Sequence, residues 1–261
     1  MDGLLINTED IYTLAHNKLL SEYSSGPLTW DIKSRLQGRP ASESIALLLS
    51  HFNLTHVDPA QYASKLHIIQ EQEFRKAAPL PGVEKLLGDL STARSMGGRE
   101  GGKIHIALAT SSHEHHFRIK TGHIEGLFEV FTEERRVLGD DVRIPKGRGK
   151  PSPDIYLLAL KTINDTLEAG EEPIKPEECL VFEDGIPGVV AGRRAGMRVV
   201  WVPHAGLAAQ LQGNEGEVLA GTIEGTEIDA HQLGTVGDGW GEQLATLEDF
   251  PYEKYGIVTK S

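Results

Sequence analysis

Four short stretches carry residue types that could do chemistry together: Asp2-Gly3, Thr110-Ser111, Lys150 within GKPSPD, and Glu183-Asp184. Chemically they offer a hydroxyl with neighbouring backbone N–H groups, one ammonium and three carboxylates. That set suits a phosphate held by hydrogen bonds and one cation, with Mg2+ on hard oxygen ligands. Each piece alone has a bland reading: Asp-Gly marks turns, and Thr-Ser-Ser after an apolar run is a common helix N-cap. A lysine beside proline is commonly a solvated loop residue. The combination gains weight from where the four pieces stand.

Three of them stand at the ends of structural elements. Ile104 to Ala109, Cys179 to Phe182 and Val199 to Val202 are short apolar runs, each closed by polar or turn residues. Such runs fit strands buried on both faces of a parallel sheet. Helical spacing links Ile155, Leu158, Ala159 and Ile163, and a second helix is expected over about 187–195, stopped by Gly196. Strands alternating with helices indicate an α/β fold with a Rossmann-like three-layer core and a parallel sheet. Ligands of such sheets sit at the carboxyl ends of the strands, where Thr110, Glu183 and Asp184 fall.

Residues 9–80 read differently. Ile11, Leu14, Ala15 and Leu19 share one helical face, and 44–52 and 62–76 are further helix candidates, with no convincing strand. We expect an inserted helical lobe over 9–80, a core formed by 1–8 and 81–261, and a hinge at Pro79-Leu80-Pro81-Gly82. The glycine-rich stretch 96–103 and the stretch 212–240 read as irregular insertions.

Composition narrows the setting. Net charge is −12, from 26 basic against 38 acidic residues, which argues against nucleic acid or an anionic membrane as partner. The single cysteine, Cys179, cannot form an internal disulfide, and no apolar stretch nears the roughly 18 residues that span a bilayer. A cytoplasmic or nuclear monomer acting on a small molecule is the expectation. Cys179 opens an apolar run and reads as core rather than nucleophile. His113-Glu114-His115-His116 invites a metal reading, but no matching cysteine or carboxylate set is evident along the chain. KGRGK (146–150) lacks the spacing of a nucleotide-binding loop and reads as the loop that delivers Lys150.

The combination of MDGLLINTE, IALATSS, GKPSPDIY and CLVFEDGIPGVVAGRRAGM resembles the haloacid dehalogenase superfamily. LGDD (138–141) and LEDFPYEKYGI are similar to its pseudouridine-5'-monophosphatase-like members. The resemblance implies a Mg2+-dependent phosphatase of small phosphorylated metabolites that works through an aspartyl-phosphate, with a helical cap over the site. Asp2 matches the family's general acid/base, whose backbone carbonyl touches Mg2+. Thr110 and the Ser111 N–H match the phosphoryl-binding motif, Lys150 the charge-neutralising lysine, and Glu183 and Asp184 the acidic metal motif. Gly3 to Thr8 matches the loop that couples cap closure to the site.

The family's nucleophilic aspartate would stand immediately before Met1, at the end of an apolar central strand. The expectation is therefore that a longer form carries both, and that the 261 residues alone do not turn over. A non-catalytic phosphate-binding or scaffold protein is the alternative. In related sugar-phosphate mutases an arginine follows the cap glycine by three residues. Aligned on Gly38, Ala41 stands there and Arg39 lies nearer, which favours phosphatase over mutase.

Overall fold

The computed structural model describes residues 1–37, 41–96, 102–222 and 234–260. Four helices come first: α1 (Thr8–Glu22), α2 (Trp30–Leu36), α3 (Ala41–His51) and α4 (Pro59–Phe74). Next come α5 (Val83–Thr92), β1 (Arg94–Ser95), β2 (Leu108–Ala109), α6 (Glu114–Thr121), α7 (Glu125–Phe128) and β3 (Arg136–Val137). The chain continues through α8 (Asp154–Asn164), β4 (Leu180–Glu183), α9 (Ile186–Arg194), β5 (Arg198–Trp201), α10 (Ala205–Gln210) and α11 (Glu215–Ala220). It closes with β6 (Gly241–Gln243) and β7 (Ile257–Val258). No described helix is long and apolar enough to cross a membrane.

Strands β4, β5 and β6 form one parallel sheet, and β2 pairs in parallel with β3. Side chains alternate across the larger sheet, as the two-residue period of a strand requires. Val181, Val199 and Trp201 pack with Ile155, Tyr156 and Ala159 of α8 and Val189 of α9. Leu180, Phe182, Val200 and Val202 face the opposite cluster with Leu86, Phe117 and Phe250. Both faces are covered, so the core is the expected three-layer α/β arrangement.

The sheet departs from expectation in one respect. Of Ile104 to Ala109, Leu108 and Ala109 alone are laddered, and no ladder joins β2 to β4 among the described residues. The two edges meet through side chains instead: Ile104, Ile106, Leu180 and Phe182 share one apolar cluster with Met1 and Leu4 to Ile6. Extended residues without a neighbouring strand have no ladder partner, however strong their β-propensity.

The helical lobe has its own core, made by Ala15, Leu19, Leu20, Ile32, Leu48, Leu49, Tyr62 and Leu66 among others. Local chemistry sets the ends of α4, where Pro59 opens the helix and the Asp58 side chain accepts from the Ala60 N–H at 3.0 Å. Three expectations need correction. Leu14, placed on the buried face of α1, is 43% exposed. Helix α2 was not foreseen. The stretch 212–240 is not wholly irregular, since α11 lies within it; residues 223–233, like 97–101 of the glycine-rich stretch and Gly38-Arg39, lie outside the described residues.

His16 gives this lobe a pH signature. Burial, reinforced by nearby Lys33, pushes its imidazole down to about 4, while its Nδ1 sits 3.2 Å from the Tyr62 hydroxyl. The unfolded chain takes up this proton near pH 6.5 and the folded chain resists until about 4. Stability is therefore complete above pH 6.5 and falls by roughly 3 kcal/mol as pH drops through that window. Urea midpoints for the native chain and His16→Gln should converge as pH falls from 7 to 4.5, with the native chain losing more.

Candidate active site

The expected residues converge where the strands end. Glu183 closes β4, with Asp184 next; Thr110 follows β2 directly. The Thr110 N–H donates to the Val137 carbonyl at 3.0 Å, continuing the β2–β3 direction, and its Oγ1 accepts from the Ser112 N–H at 3.2 Å. Thr110 is buried and Ser111 exposed. LGDD now has a structural meaning. Gly139 lies against the Ser111 carbonyl so closely that a Cβ would stand 2.1 Å from it, and the Asp140 carboxylate accepts from the first N–H of α6 at 3.1 Å.

Met1 to Ile6 form a tight loop, with the Met1 carbonyl accepting from the Leu5 N–H at 2.8 Å and Gly3 in the left-handed region at φ 65°. A Cβ on Gly3 would fall 2.2 Å from Asp184 Oδ2, so the glycine lets the loop approach that carboxylate. The buried Met1 α-amino group lies within the fields of Glu183, Lys150, Asp2 and Asp184.

Asp2 is gripped by groups the sequence did not reveal. Its Oδ1 accepts from Lys120 Nζ at 2.6 Å and its Oδ2 from the Ser112 hydroxyl at 2.7 Å. Lys120 is fully buried and also reaches Tyr12 Oη at 3.0 Å and Ser112 Oγ at 2.9 Å. Burial pushes the Asp2 carboxyl up, but Lys120, the Met1 ammonium and these hydrogen bonds prevail and bring it down to about 2. Asp2 is thus held as an ionised carboxylate. A phosphate dianion arriving beside it would raise its pKa and favour the protonated form.

Lys150 leaves the loop before α8 and bonds Glu183 Oε1, which also accepts from the Tyr156 hydroxyl. Glu183 Oε2 accepts from the Asp184 N–H at 3.2 Å. Burial works against the Glu183 charge, and Lys150 offsets it, leaving its pKa below the ordinary range. Among the described residues no cation bonds Asp184: burial, then the charges of Glu183 and Glu9, push its carboxyl well above the usual range against the weaker pull of Met1 and Lys150. Among the expected metal ligands Glu183 is therefore engaged with Lys150, whereas Asp184 is the carboxylate that lacks a cation.

Two signals could have located the missed residues. Lys120 stands three residues after Phe117, and both are buried on α6. Tyr156 shares the buried face of α8 with Ile155 and Ala159. Cys179 lies just before β4 and is half-buried against the Val181 cluster rather than in the core; burial, with Glu178 and Glu177, pushes its thiol up to about 11, away from a reactive thiolate. Arg148 of KGRGK pairs with Asp154 at 2.9 Å and takes no part in the cluster.

Comparisons with known proteins point the same way. The family model described as haloacid dehalogenase-like hydrolase matches residues 1–196. A "probable pseudouridine-5'-phosphatase" of Saccharomyces cerevisiae is 41% identical over 257 residues, covering 98% of this chain and 94% of that protein. A (DL)-glycerol-3-phosphatase of Arabidopsis thaliana is 31% identical over 225 residues, covering 86% of this chain and 69% of that protein. The crystal structure of a HAD hydrolase from Entamoeba histolytica superposes with a TM-score of 0.62 over 98% of this chain and 94% of that one, at 20% identity, a likeness of fold alone.

Proposed function

The chain belongs to the haloacid dehalogenase-like hydrolases, and on that premise we propose that it is a Mg2+-dependent phosphomonoesterase of small phosphorylated metabolites. The substrate class is a nucleoside or pseudouridine 5'-monophosphate, or else a sugar or polyol phosphate. The name of the yeast relative supports the first and that of the plant relative the second. One observation carries the reading: Asp2, Lys150, Glu183 and Asp184 gather around the Met1 backbone, Lys150 also reaches the Ala109 carbonyl next to Thr110, and among the described residues no cation bonds Asp184.

That shortage is the test of fit for Mg2+. A half-buried carboxylate beside Glu183 and Glu9 is a hard-oxygen donor suited to a cation. Asp184 and the Asp2 backbone carbonyl would hold the ion, with Glu183 beside them; when bound, Mg2+ supplies charge neutralisation to phosphoryl oxygens. Thr110 Oγ1 and the Ser111 N–H bind phosphoryl oxygens, with Gly3 leaving room for them. Lys150, steered by Glu183 and Tyr156, stabilises the charge that builds in the transition state. Asp2 exchanges a proton with the leaving oxygen and with water. Residues 9–80 act as the cap that selects the leaving group, over a core of 1–8 and 81–261, and we assign the protein a monomeric, cytosolic role.

The test is a phosphate-release assay on pseudouridine 5'-monophosphate, uridine 5'-monophosphate, glycerol 3-phosphate and hexose phosphates. It uses the 261-residue chain and the same chain preceded by an apolar strand ending in Asp. The Asp-bearing chain should hydrolyse at least one of them in Mg2+ and none in EDTA. If neither protein hydrolyses any substrate, the enzyme reading fails and the phosphate-binding alternative stands.

A further inference from the structure

The histidine-rich run that the phosphate site does not use faces a second element. His115, in the first turn of α6, has Nε2 2.5 Å from Oε1 of Glu71 on α4. His67, one turn earlier on α4, has Nε2 3.2 Å from the same oxygen. The three ligand atoms all lie within 4.8 Å of one another. We propose that His67, Glu71 and His115 form a binding site for a borderline divalent transition metal, Zn2+ or Ni2+, that bridges the helical lobe to the core.

The donor set chooses the ion. Two imidazoles and one carboxylate suit Zn2+ and Ni2+, whereas Mg2+ prefers oxygen ligands. Two donors each about 2.0 Å from a tetrahedral zinc stand roughly 3.3 Å apart, a spacing these side chains reach by small rotations. The i, i+4 pair on α4 sets two ligands on one helical face, a rigid platform. All three side chains reach solvent, at 51%, 33% and 65% exposure, so an ion can enter. A third imidazole adjoins the set. His116 lies tilted beside the cluster, its ring 5.4 Å from His67 and 5.6 Å from His115, and its Nε2 is buried with no hydrogen-bond partner among the described residues.

The consequence is mechanical. Helix α4 belongs to the lobe, and α6 carries Lys120, which holds Asp2. A metal between them ties the lobe to the helix that supports the catalytic loop, so occupancy fixes their relative position. The sequence hid this because Glu71 lies 44 residues before His115.

Calorimetric titration of the chelator-stripped chain with ZnCl2 in millimolar Mg2+ tests the site. One equivalent should bind, with affinity falling at least tenfold in His67→Ala, Glu71→Gln and His115→Ala, all surface changes that leave the circular dichroism spectrum intact. Zn2+ should also slow amide exchange across 75–82 in the native chain and not in His115→Ala. Unchanged Zn2+ affinity in His67→Ala and His115→Ala, or no binding at 100-fold excess over protein, would overturn the site, and binding without slower exchange would overturn the clamp. Neither readout depends on phosphatase activity.

Discussion

Lys120→Met should cost the fold about 3 kcal/mol and lower the melting temperature by roughly 6–12 °C. The replacement fills the same space among Tyr12, Phe74 and Ser112, so packing is largely kept. What is lost is the counter-charge of Asp2. Breaking a buried pair by removing one partner strands the other charge. The expected cost lies at the low end because the Asp2 side chain keeps 21% of its surface exposed to the cleft. Asp2→Asn should cost a similar amount by stranding the ammonium, and the double variant less than the sum, with a coupling of at least about 1 kcal/mol.

The pH dependence has a fixed sign. Asp2 is depressed to about 2 in the fold from an ordinary 3.8. Its contribution is fully present above 3.8 and is lost as pH falls toward 2, so the gap between native and Lys120→Met chains should narrow through that interval. A gap under 0.5 kcal/mol at pH 7 in urea denaturation, on the order of an ordinary surface change, would show that the pair does not hold the loop.

Lys150→Met should lower kcat/KM of the Asp-bearing chain by about 10²–10³-fold, the range seen when one group is removed from a charge-stabilising site. Two effects combine. The phosphoryl group loses its ammonium, and Glu183 loses the charge that offsets its burial beside Asp184. Part of the loss should appear in phosphate affinity, because the variant site carries one more net negative charge. Tyr156→Phe should cost far less, since it removes a steering hydrogen bond and leaves the ammonium in place. Equal losses in the two variants would contradict the assignment of Lys150 as the group that meets the phosphate.

Much of the site was legible because buried parallel strands are apolar runs and their ends are marked by the first polar residues. Thr110, Glu183 and Asp184 announce themselves this way, and Lys150 through its proline-flanked loop. Lys120 did so only weakly, through its spacing from Phe117, because on a helix of HHFRIK composition a lysine reads as solvated until the fold shows Asp2 opposite it. Glu183 is a related case: sequence marks it as a carboxylate at a strand end, while its bonds to Lys150 and Tyr156 depend on a loop and a helix 33 and 27 residues away. The full strand expected over 104–109 failed because pairing needs a neighbour as well as β-branched residues. Leu14 failed because the buried stripe of α1 runs through Ile11, Ala15 and Leu19 and leaves Leu14 at its exposed edge.

The most direct test is calorimetric titration of orthophosphate into the 261-residue chain, with and without Mg2+, alongside Asp184→Asn. The account predicts binding that strengthens at least tenfold with Mg2+ in the native chain and does not respond to Mg2+ in the variant. Phosphate affinity independent of Mg2+ in both proteins, or no phosphate binding in either, would contradict it.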